Sequence, residues 1–138
     1  MLKIKRSELE KLLRQAERDY PYETCGLLLG RREGDARVVY EVFETPNANK
    51  ERRRDRYEIS PHDYLKAEDY ALEKGLEIVG VYHSHPDHPD RPSRFDLERA
   101  FPELSYLIVS VRDGKAVSYR SWELENEAFK EEEVLVWD

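Results

Sequence analysis

Residues 82–96, YHSHPDHPDRPSRFD, carry three histidines and three aspartates within fifteen positions. The preceding apolar run LEIVGVY predicts a buried strand. If that strand continues for two more residues, His83 and His85 share one of its faces, because side chains two positions apart on a strand point the same way. Two imidazoles directed at one point indicate a metal site, and two satisfied structural histidines are the alternative.

The first ligand pattern in this stretch is H-x-H-x-D-H, formed by His83, His85, Asp87 and His88. It resembles the two-metal site of metallo-β-lactamase-type hydrolases. That family needs further histidines downstream, but no histidine follows His88, and the one remaining histidine, His62, lies upstream. We therefore interpret this match as a coincidence of residue types, and we expect His88 at the rim of the site.

The second ligand pattern is H-x-H, seven residues, then S-x-x-D, formed by His83, His85, Ser93 and Asp96. Together with Glu23 in YETCGLLLG, it resembles the signature of the JAMM (MPN-plus) metalloproteases, and its spacing agrees without departure. The segment VGVYHSHP also resembles the histidine strand of that family. The similarity extends from the first predicted helix to the hairpin near residue 120, and the fixed spacing makes it more specific than H-x-H alone.

The resemblance implies a zinc site and a role for each of these residues. His83, His85 and Asp96 would hold Zn²⁺ and leave the fourth tetrahedral position open for water. The metal would lower the pKa of that water from about 15.7 toward ~7 and polarise the scissile carbonyl. Glu23 would accept the proton as general base and pass it to the leaving amine, and Ser93 would donate a hydrogen bond to the oxyanion.

The resemblance also implies a class of substrate. JAMM enzymes hydrolyse the peptide or isopeptide bond after the C-terminal Gly-Gly of ubiquitin-like proteins. Without long insertions, this chain resembles the short prokaryotic branch, which implies ubiquitin-fold sulfur carriers as substrates. We expect residues 44–59 to form one wall of a groove in which the tail adds as a strand. Arg52, Arg53, Arg54 and Arg56 could meet acidic residues of the carrier.

Two other functional classes remain open at this point. The chain could be a zinc hydrolase of a small-molecule amide, because the chemistry of the site does not name the substrate. It could also be a non-catalytic MPN-type binding module, although such members lose ligands and this sequence keeps them all. Metal content and activity separate these alternatives.

Several of these residues also have simpler structural interpretations. Ser93 and Asp96 form a capping-box pattern that starts a helix, which is compatible with holding Asp96 against the histidines. Ser84 faces away from the histidines and is predicted to bond the backbone. Cys25 lies in an apolar segment and is predicted to be a small buried residue, with a Cys/His nucleophilic hydrolase as the alternative.

The composition limits the remaining possibilities. A length of 138 residues with 39% hydrophobic content predicts a single domain over residues 1–138. One cysteine excludes an internal disulfide, and a formal charge of −7 argues against a nucleic-acid partner, with the basic run at 50–56 interpreted as a solvated loop. No apolar run of membrane-spanning length and no signal peptide are found, which predicts a cytoplasmic monomer or homodimer without a membrane partner.

Residue patterns predict the elements that position the site. Apolar residues at helical spacing indicate an amphipathic helix over 8–19 with Ser7 and Glu10 as its capping box, and Ser60 caps a second helix that ends at Gly75. Strands are predicted over 25–30, 36–43, 76–83, 105–111 and 115–124, with a short helix over 93–101 and a last edge strand in the tail. The class is α/β (α+β), a mostly antiparallel central sheet flanked by helices. The resemblance implies a JAB/MPN domain of cytidine-deaminase-like fold.

Overall fold

Eight strands and three helices make up the fold, and the computed structural model describes residues 1–138. In chain order they are β1 (Leu2–Lys5), α1 (Arg6–Asp19), β2 (Cys25–Glu33), β3 (Ala36–Thr45), α2 (Pro61–Glu73), β4 (Glu77–Pro86), α3 (Arg94–Glu98), β5 (Ser105–Arg112), β6 (Lys115–Glu125), β7 (Ala128–Glu132) and β8 (Val134–Trp137). The predicted class of helices packed around a largely antiparallel sheet is confirmed. None of the three helices combines the length and the apolarity that a membrane crossing needs.

All eight strands belong to one sheet in the order β7-β6-β5-β4-β2-β3-β1-β8. Four neighbouring pairs are antiparallel, and three are parallel, namely β1 with β3, β1 with β8, and β4 with β5. The two edge strands, β7 and β8, are separated in the chain only by Glu133. The sheet therefore curls until its two ends meet, and the Leu2 N–H donates to the Glu133 carbonyl at 2.9 Å.

The two faces of the sheet carry separate apolar clusters because side chains alternate along each strand. On β2, Leu28 points to the face covered by α1, whereas Leu27 and Leu29 point to the face covered by α2. On β4, Tyr82 joins the α1 face and Val81 joins the α2 face. Burying a side chain such as Leu28 contributes ~1.5–3 kcal/mol, so this alternation fixes the register of the central strands.

The first helix begins differently from the prediction. It starts at Arg6 directly after β1, with Lys5 as its N-cap and no side-chain cap, so the capping box expected at Ser7 and Glu10 is wrong. The reason is that β1 delivers the chain straight into the first turn. The Glu8 carboxylate accepts a hydrogen bond from the Val42 N–H at 3.0 Å, which ties this turn to β3 instead.

The other helix starts agree with the prediction. The Ser60 hydroxyl accepts from the Asp63 N–H at 3.1 Å at the start of α2, and a proline occupies the first turn. Helix α3 is shorter than the predicted 93–101 and ends at Glu98, because Arg99 already closes the turn with bonds to Asp96 and Leu97.

Candidate metal centre and active site

Strand β4 supplies the two histidines. It continues to Pro86, so the expected extension beyond residue 83 is present, and it is paired on both sides, with β2 and β5. His83 and His85 continue the face that carries Val81, and both are buried. The predicted common orientation of the two imidazoles is therefore confirmed.

Helix α3 supplies the carboxylate. Ser93 is its N-cap, and the predicted capping box is confirmed, since the Ser93 hydroxyl accepts from the Asp96 N–H at 3.1 Å. In return, the Ser93 N–H donates to Asp96 Oδ2 at 2.8 Å. This reciprocal pair fixes the buried carboxylate of Asp96 at the first turn of the helix.

Three ligand atoms converge at this point. His83 Nε2 lies 3.1 Å from His85 Nε2, and Asp96 Oδ2 lies 3.3 Å from the first nitrogen and 3.2 Å from the second. For zinc bonded at about 2.0–2.1 Å, neighbouring corners of a tetrahedron are about 3.3 Å apart. The three atoms thus have the spacing of three corners of a zinc tetrahedron, and these residues fit the metal that the sequence predicts.

The protonation of His83 and Asp96 suits a metal. Burial lowers the pKa of His83, which keeps its ring neutral, and the ring stacks on Tyr57 with a centroid distance of 4.3 Å. Burial alone would raise the pKa of Asp96, but the two histidines and the Ser93 N–H hold it well below its usual range. A neutral imidazole and an ionised carboxylate are ordinary zinc ligands.

Glu23 reaches the same region through a link between two segments. The Thr24 N–H donates to the Ser84 hydroxyl at 2.8 Å, and the Ser84 N–H donates to the Thr24 carbonyl at 3.1 Å. This pair holds Glu23 beside the histidine strand and confirms that Ser84 bonds the backbone. Burial, followed by the charge of Asp96, raises the pKa of Glu23 to about 9. No hydrogen bond within the chain involves its carboxylate.

An open cavity of about 420 Å³ adjoins the metal ligand His85, and we call it the active-site cavity. Its lining combines chemistry-bearing and basic side chains, namely Glu23, Asp55, Arg56, His85, His88, Pro89, Arg91, Ser93, Arg94 and Phe95. The Ser93 hydroxyl accepts one hydrogen bond in the capping box and keeps its own hydrogen free to donate. Of the five predicted site residues, Glu23, Ser93 and His85 line this cavity, and His83 and Asp96 lie 3.1 and 3.2 Å from His85.

Residues 5–125 match the family described as prokaryotic homologs of the JAB domain. The chain belongs to this family. Among JAB relatives, a CysO-cysteine peptidase of Mycobacterium tuberculosis (strain ATCC 25618 / H37Rv) is 34% identical over 138 residues, covering 99% of this chain and 91% of that protein.

Two further proteins are similar to most of this chain. A desampylase of Haloferax volcanii is 36% identical over 119 residues, which cover 86% of this chain and 81% of that protein. The solution structure of protein DSY2949 from Desulfitobacterium hafniense has a TM-score of 0.89 and 34% identity, and the match covers 100% of this chain and 94% of that chain. The predicted JAB/MPN fold is confirmed.

The competing ligand pattern does not form in this JAB domain. The Asp87 carboxylate is held away from the histidines by the Tyr20 hydroxyl at 2.7 Å and the Asp113 N–H at 3.3 Å. His88 is exposed and lines the active-site cavity at its rim, while its carbonyl accepts from the Ser110 hydroxyl at 2.6 Å. The rejection of a metallo-β-lactamase-type site is therefore confirmed.

Cys25 is a buried residue, as predicted. Its thiol lies 3.5 Å from the Thr45 hydroxyl, and burial raises its pKa to about 11. Almost none of it is thiolate at neutral pH, and the thiolate is the nucleophilic form. The alternative of a Cys/His nucleophilic hydrolase is not supported by this arrangement.

Two features of the site were not predicted. The Nδ1 nitrogen of His85 bonds the Pro89 carbonyl, and a main-chain acceptor leaves no signal in residue types. Tyr57, which covers His83, lies in the extended segment RYEI that was predicted, but nothing in the sequence paired its ring with that histidine.

Proposed function

We propose that this JAB-family chain is a zinc-dependent peptidase or isopeptidase that cleaves after the C-terminal Gly-Gly of a ubiquitin-like sulfur carrier. The observation that carries the proposal is the set of three ligand atoms spaced 3.1, 3.2 and 3.3 Å apart beside a cavity that contains Glu23. The relatives named CysO-cysteine peptidase and desampylase support the same class of reaction.

In this proposal His83, His85 and Asp96 hold the zinc. Zinc, when bound, lowers the pKa of water at the open position and polarises the scissile carbonyl. Glu23 accepts the proton of the attacking water and delivers it to the leaving nitrogen. Its buried position beside the ligands suits this task. Burial raises its pKa in the metal-free site, and the charge of bound zinc would lower that pKa, so that the carboxylate could accept a proton near neutral pH.

Ser93 is the proposed oxyanion donor. Its hydroxyl hydrogen is free, and the capping box fixes its oxygen three residues before Asp96. A rigid donor needs no reorganisation as negative charge develops on the carbonyl oxygen, and loss of one such donor costs about 3 kcal/mol in related sites.

An unpaired strand edge supports binding of an extended tail. Glu58 directs its N–H to Asn47 Oδ1 at 3.0 Å and its carbonyl to the Ala48 N–H at 2.9 Å. Successive residues of an extended segment direct their main-chain groups to opposite edges, so Tyr57 and Ile59 face the other way. Their N–H and C=O groups make no hydrogen bond within the chain. A Gly-Gly tail can add there as a strand.

An apolar groove of about 150 Å³ accompanies this edge. It is lined mainly by Leu27, Tyr57, Ile59, Tyr64, Val81, Phe101, Leu104 and Tyr106. Because Tyr57 lines the groove and its ring stacks on His83, this part of the groove lies next to the metal ligands. We assign the carrier's tail to this apolar groove, with the Gly-Gly end where the groove meets the metal.

The basic loop at 50–56 is the proposed contact for acids of the carrier. Within it, Arg52 pairs with Asp55, whereas Arg53 stacks on Tyr22 at 3.9 Å and forms no ion pair. Arg54 is exposed and also forms no ion pair. Changing Arg53 and Arg54 to Glu should raise KM for the carrier. An unchanged KM and unchanged turnover of the carrier would contradict this docking surface.

The experiment that tests the proposed function combines metal analysis with hydrolysis. The substrate is a ubiquitin-fold sulfur carrier with one residue added after Gly-Gly, and wild type is compared with Glu23→Gln and His85→Ala. We expect one zinc per chain in wild type, retained zinc without cleavage in Glu23→Gln, and loss of both in His85→Ala. Activity that survives in His85→Ala, or a wild type without zinc, would contradict the proposal. The cytoplasmic location and the monomeric or homodimeric state stay predictions.

A further inference from the structure

Two cavities lie next to the metal ligands, one beside His83 and one beside His85. The apolar groove meets His83 through the stacked ring of Tyr57, whereas the active-site cavity has His85 in its wall. The two have no lining residue in common. A scissile bond at the metal therefore has the carrier's tail on the His83 side and the leaving group on the His85 side.

The active-site cavity is lined by three arginines and by the acids Glu23 and Asp55, and two of the arginines form no ion pair. Arg56 packs on the Phe95 ring at 4.0 Å, and neither Arg56 nor Arg91 lies within 4.0 Å of a carboxylate oxygen. The third arginine, Arg94, is only loosely paired, with Glu98 at 3.7 Å. Two unpaired guanidinium groups in a cavity of 420 Å³ are suited to a small anionic ligand, because guanidinium binds carboxylate through two parallel hydrogen bonds.

We propose that Arg91 and Arg56 bind the free α-carboxylate of the leaving amino acid, so the preferred scissile bond is the linear peptide bond to a residue added after Gly-Gly. This inference rests on the proposed function and selects one of its two bond types. Water adds to the glycine carbonyl, the C–N bond breaks, the carrier ends in a carboxylate, and the released amino acid leaves with a protonated amine.

The chemistry of the two bond types explains the choice. In a linear bond to a terminal residue, the negative carboxylate is attached to the carbon that bears the leaving nitrogen. In an isopeptide bond, the leaving nitrogen sits at the end of a lysine side chain, whose own carbonyl is a neutral amide. Only the first leaving group brings a negative charge to Arg91 and Arg56 when its nitrogen lies at Glu23.

The test compares two substrates that differ only in that charge. The carrier that is cleaved in the experiment above is prepared as a Gly-Gly thioester and ligated to cysteine or to cysteinamide. A third substrate links the same carrier to the lysine side chain of a peptide. Each is assayed as kcat/KM with zinc-loaded wild type, Arg91→Gln, Arg56→Gln and the control Arg14→Gln, whose arginine is exposed on α1.

We expect wild type to cleave the free acid roughly 10- to 100-fold faster than the amide, the range for hydrogen bonds to a charged group. The isopeptide substrate should also be cleaved with a lower kcat/KM than the carrier that ends in a free acid. Arg91→Gln and Arg56→Gln should lower the acid-to-amide ratio toward one, and Arg14→Gln should preserve it. The ratio cancels any effect of Arg56 on Glu23, because both substrates use the same base.

Equal rates for acid and amide in wild type, or an unchanged ratio in both arginine variants, would overturn the inference while leaving the proposed function intact. A wild type that prefers the isopeptide would overturn it as well. If no carrier substrate of any type is cleaved, the proposed function fails and the inference fails with it.

Discussion

The Nδ1 nitrogen of His85 lies 2.8 Å from the carbonyl oxygen of Pro89, and the Nε2 nitrogen of the same ring faces Asp96. Because a carbonyl only accepts, Nδ1 must carry the hydrogen, which leaves the Nε2 lone pair for a metal. The loop that contains Pro89 is fixed on both sides. The Trp122 indole donates to the Asp90 carbonyl at 3.0 Å, and the Ser110 hydroxyl donates to the His88 carbonyl.

Loosening this loop should therefore weaken metal binding. We expect the double change Ser110→Ala and Trp122→Phe to reduce zinc affinity roughly 10- to 100-fold, the range for lost outer-shell partners of a metal ligand. Competition with a chromophoric chelator at constant pH measures the affinity. Trp137→Phe is the matched control, because Trp137 lies in the last strand, β8, and packs on Tyr40 instead of on the loop that contains Pro89. Equal zinc affinity in the double variant and the control would contradict this role.

Glu23 should make the metal-free protein less stable as pH rises. Its pKa is raised from 4.5 to about 9 on folding, so the folded state keeps a proton that the unfolded state releases between these values. The free energy of unfolding therefore falls across that window. We expect Glu23→Gln, measured in the presence of a chelator, to raise Tm at pH 8 but not at pH 4.5. Each kcal/mol gained in the free energy of unfolding should raise Tm by roughly 4 °C.

Thermal melts at both pH values check this sign. The control is Glu68→Gln, which changes an exposed carboxylate on α2. A Glu23→Gln variant whose Tm difference from wild type is the same at pH 4.5 and pH 8 would show that burial of Glu23 is not coupled to its protonation.

Cys25 should be dispensable for catalysis. Its thiol is buried and its pKa is raised to about 11, so a disulfide reagent should react slowly with the folded protein at pH 8 and rapidly in denaturant. Cys25→Ala should keep kcat/KM within a few-fold of wild type, in contrast to Glu23→Gln. Loss of turnover in a folded, zinc-loaded Cys25→Ala protein would return the thiol to the mechanism.

Phe101 should contribute to binding of the tail rather than to the chemical step. Its side chain is 67% exposed at the apolar groove, where an extended tail would cover it. We expect Phe101→Ala to raise KM for the carrier several-fold while kcat changes little. Leu72→Ala, which removes an exposed apolar side chain from α2, should change neither. A lowered kcat with an unchanged KM would place Phe101 outside the tail site.

Most of the metal centre could be predicted from residue spacing. Two histidines two residues apart on a strand share a face, and the capping-box pattern of Ser93 and Asp96 favours a helix start, because both patterns depend on local geometry. The same kind of pattern at Ser7 and Glu10 does not form, so it predicts a helix start without requiring one. The position of Glu23 could not be derived this way, since it depends on the bond between Thr24 and Ser84, sixty residues apart in the chain.

The missed parts of the fold have a similar origin. Strand β1 is only four residues long, and its alternation is too short to distinguish from the start of the following helix. Its pairing with β3 and β8 decides that it is a strand, and a tertiary contact of this kind is invisible in local patterns. Arg91 likewise looks like an ordinary surface residue until the cavity around His85 is described.

The pairing of the first strand, β1, with the last strand, β8, has a consequence for folding kinetics. Leu2 pairs with Val134, so the last seam of the sheet joins residues 132 positions apart in the chain. The chain must close this long loop before the seam gains any hydrogen bond, and such non-local pairings belong to domains that fold in milliseconds to seconds. The segment from β4 to α3 holds all three metal ligands within fourteen residues and needs no such closure. Local assembly of the metal centre can therefore precede completion of the sheet, and zinc present during refolding should speed the early phase more than the final one.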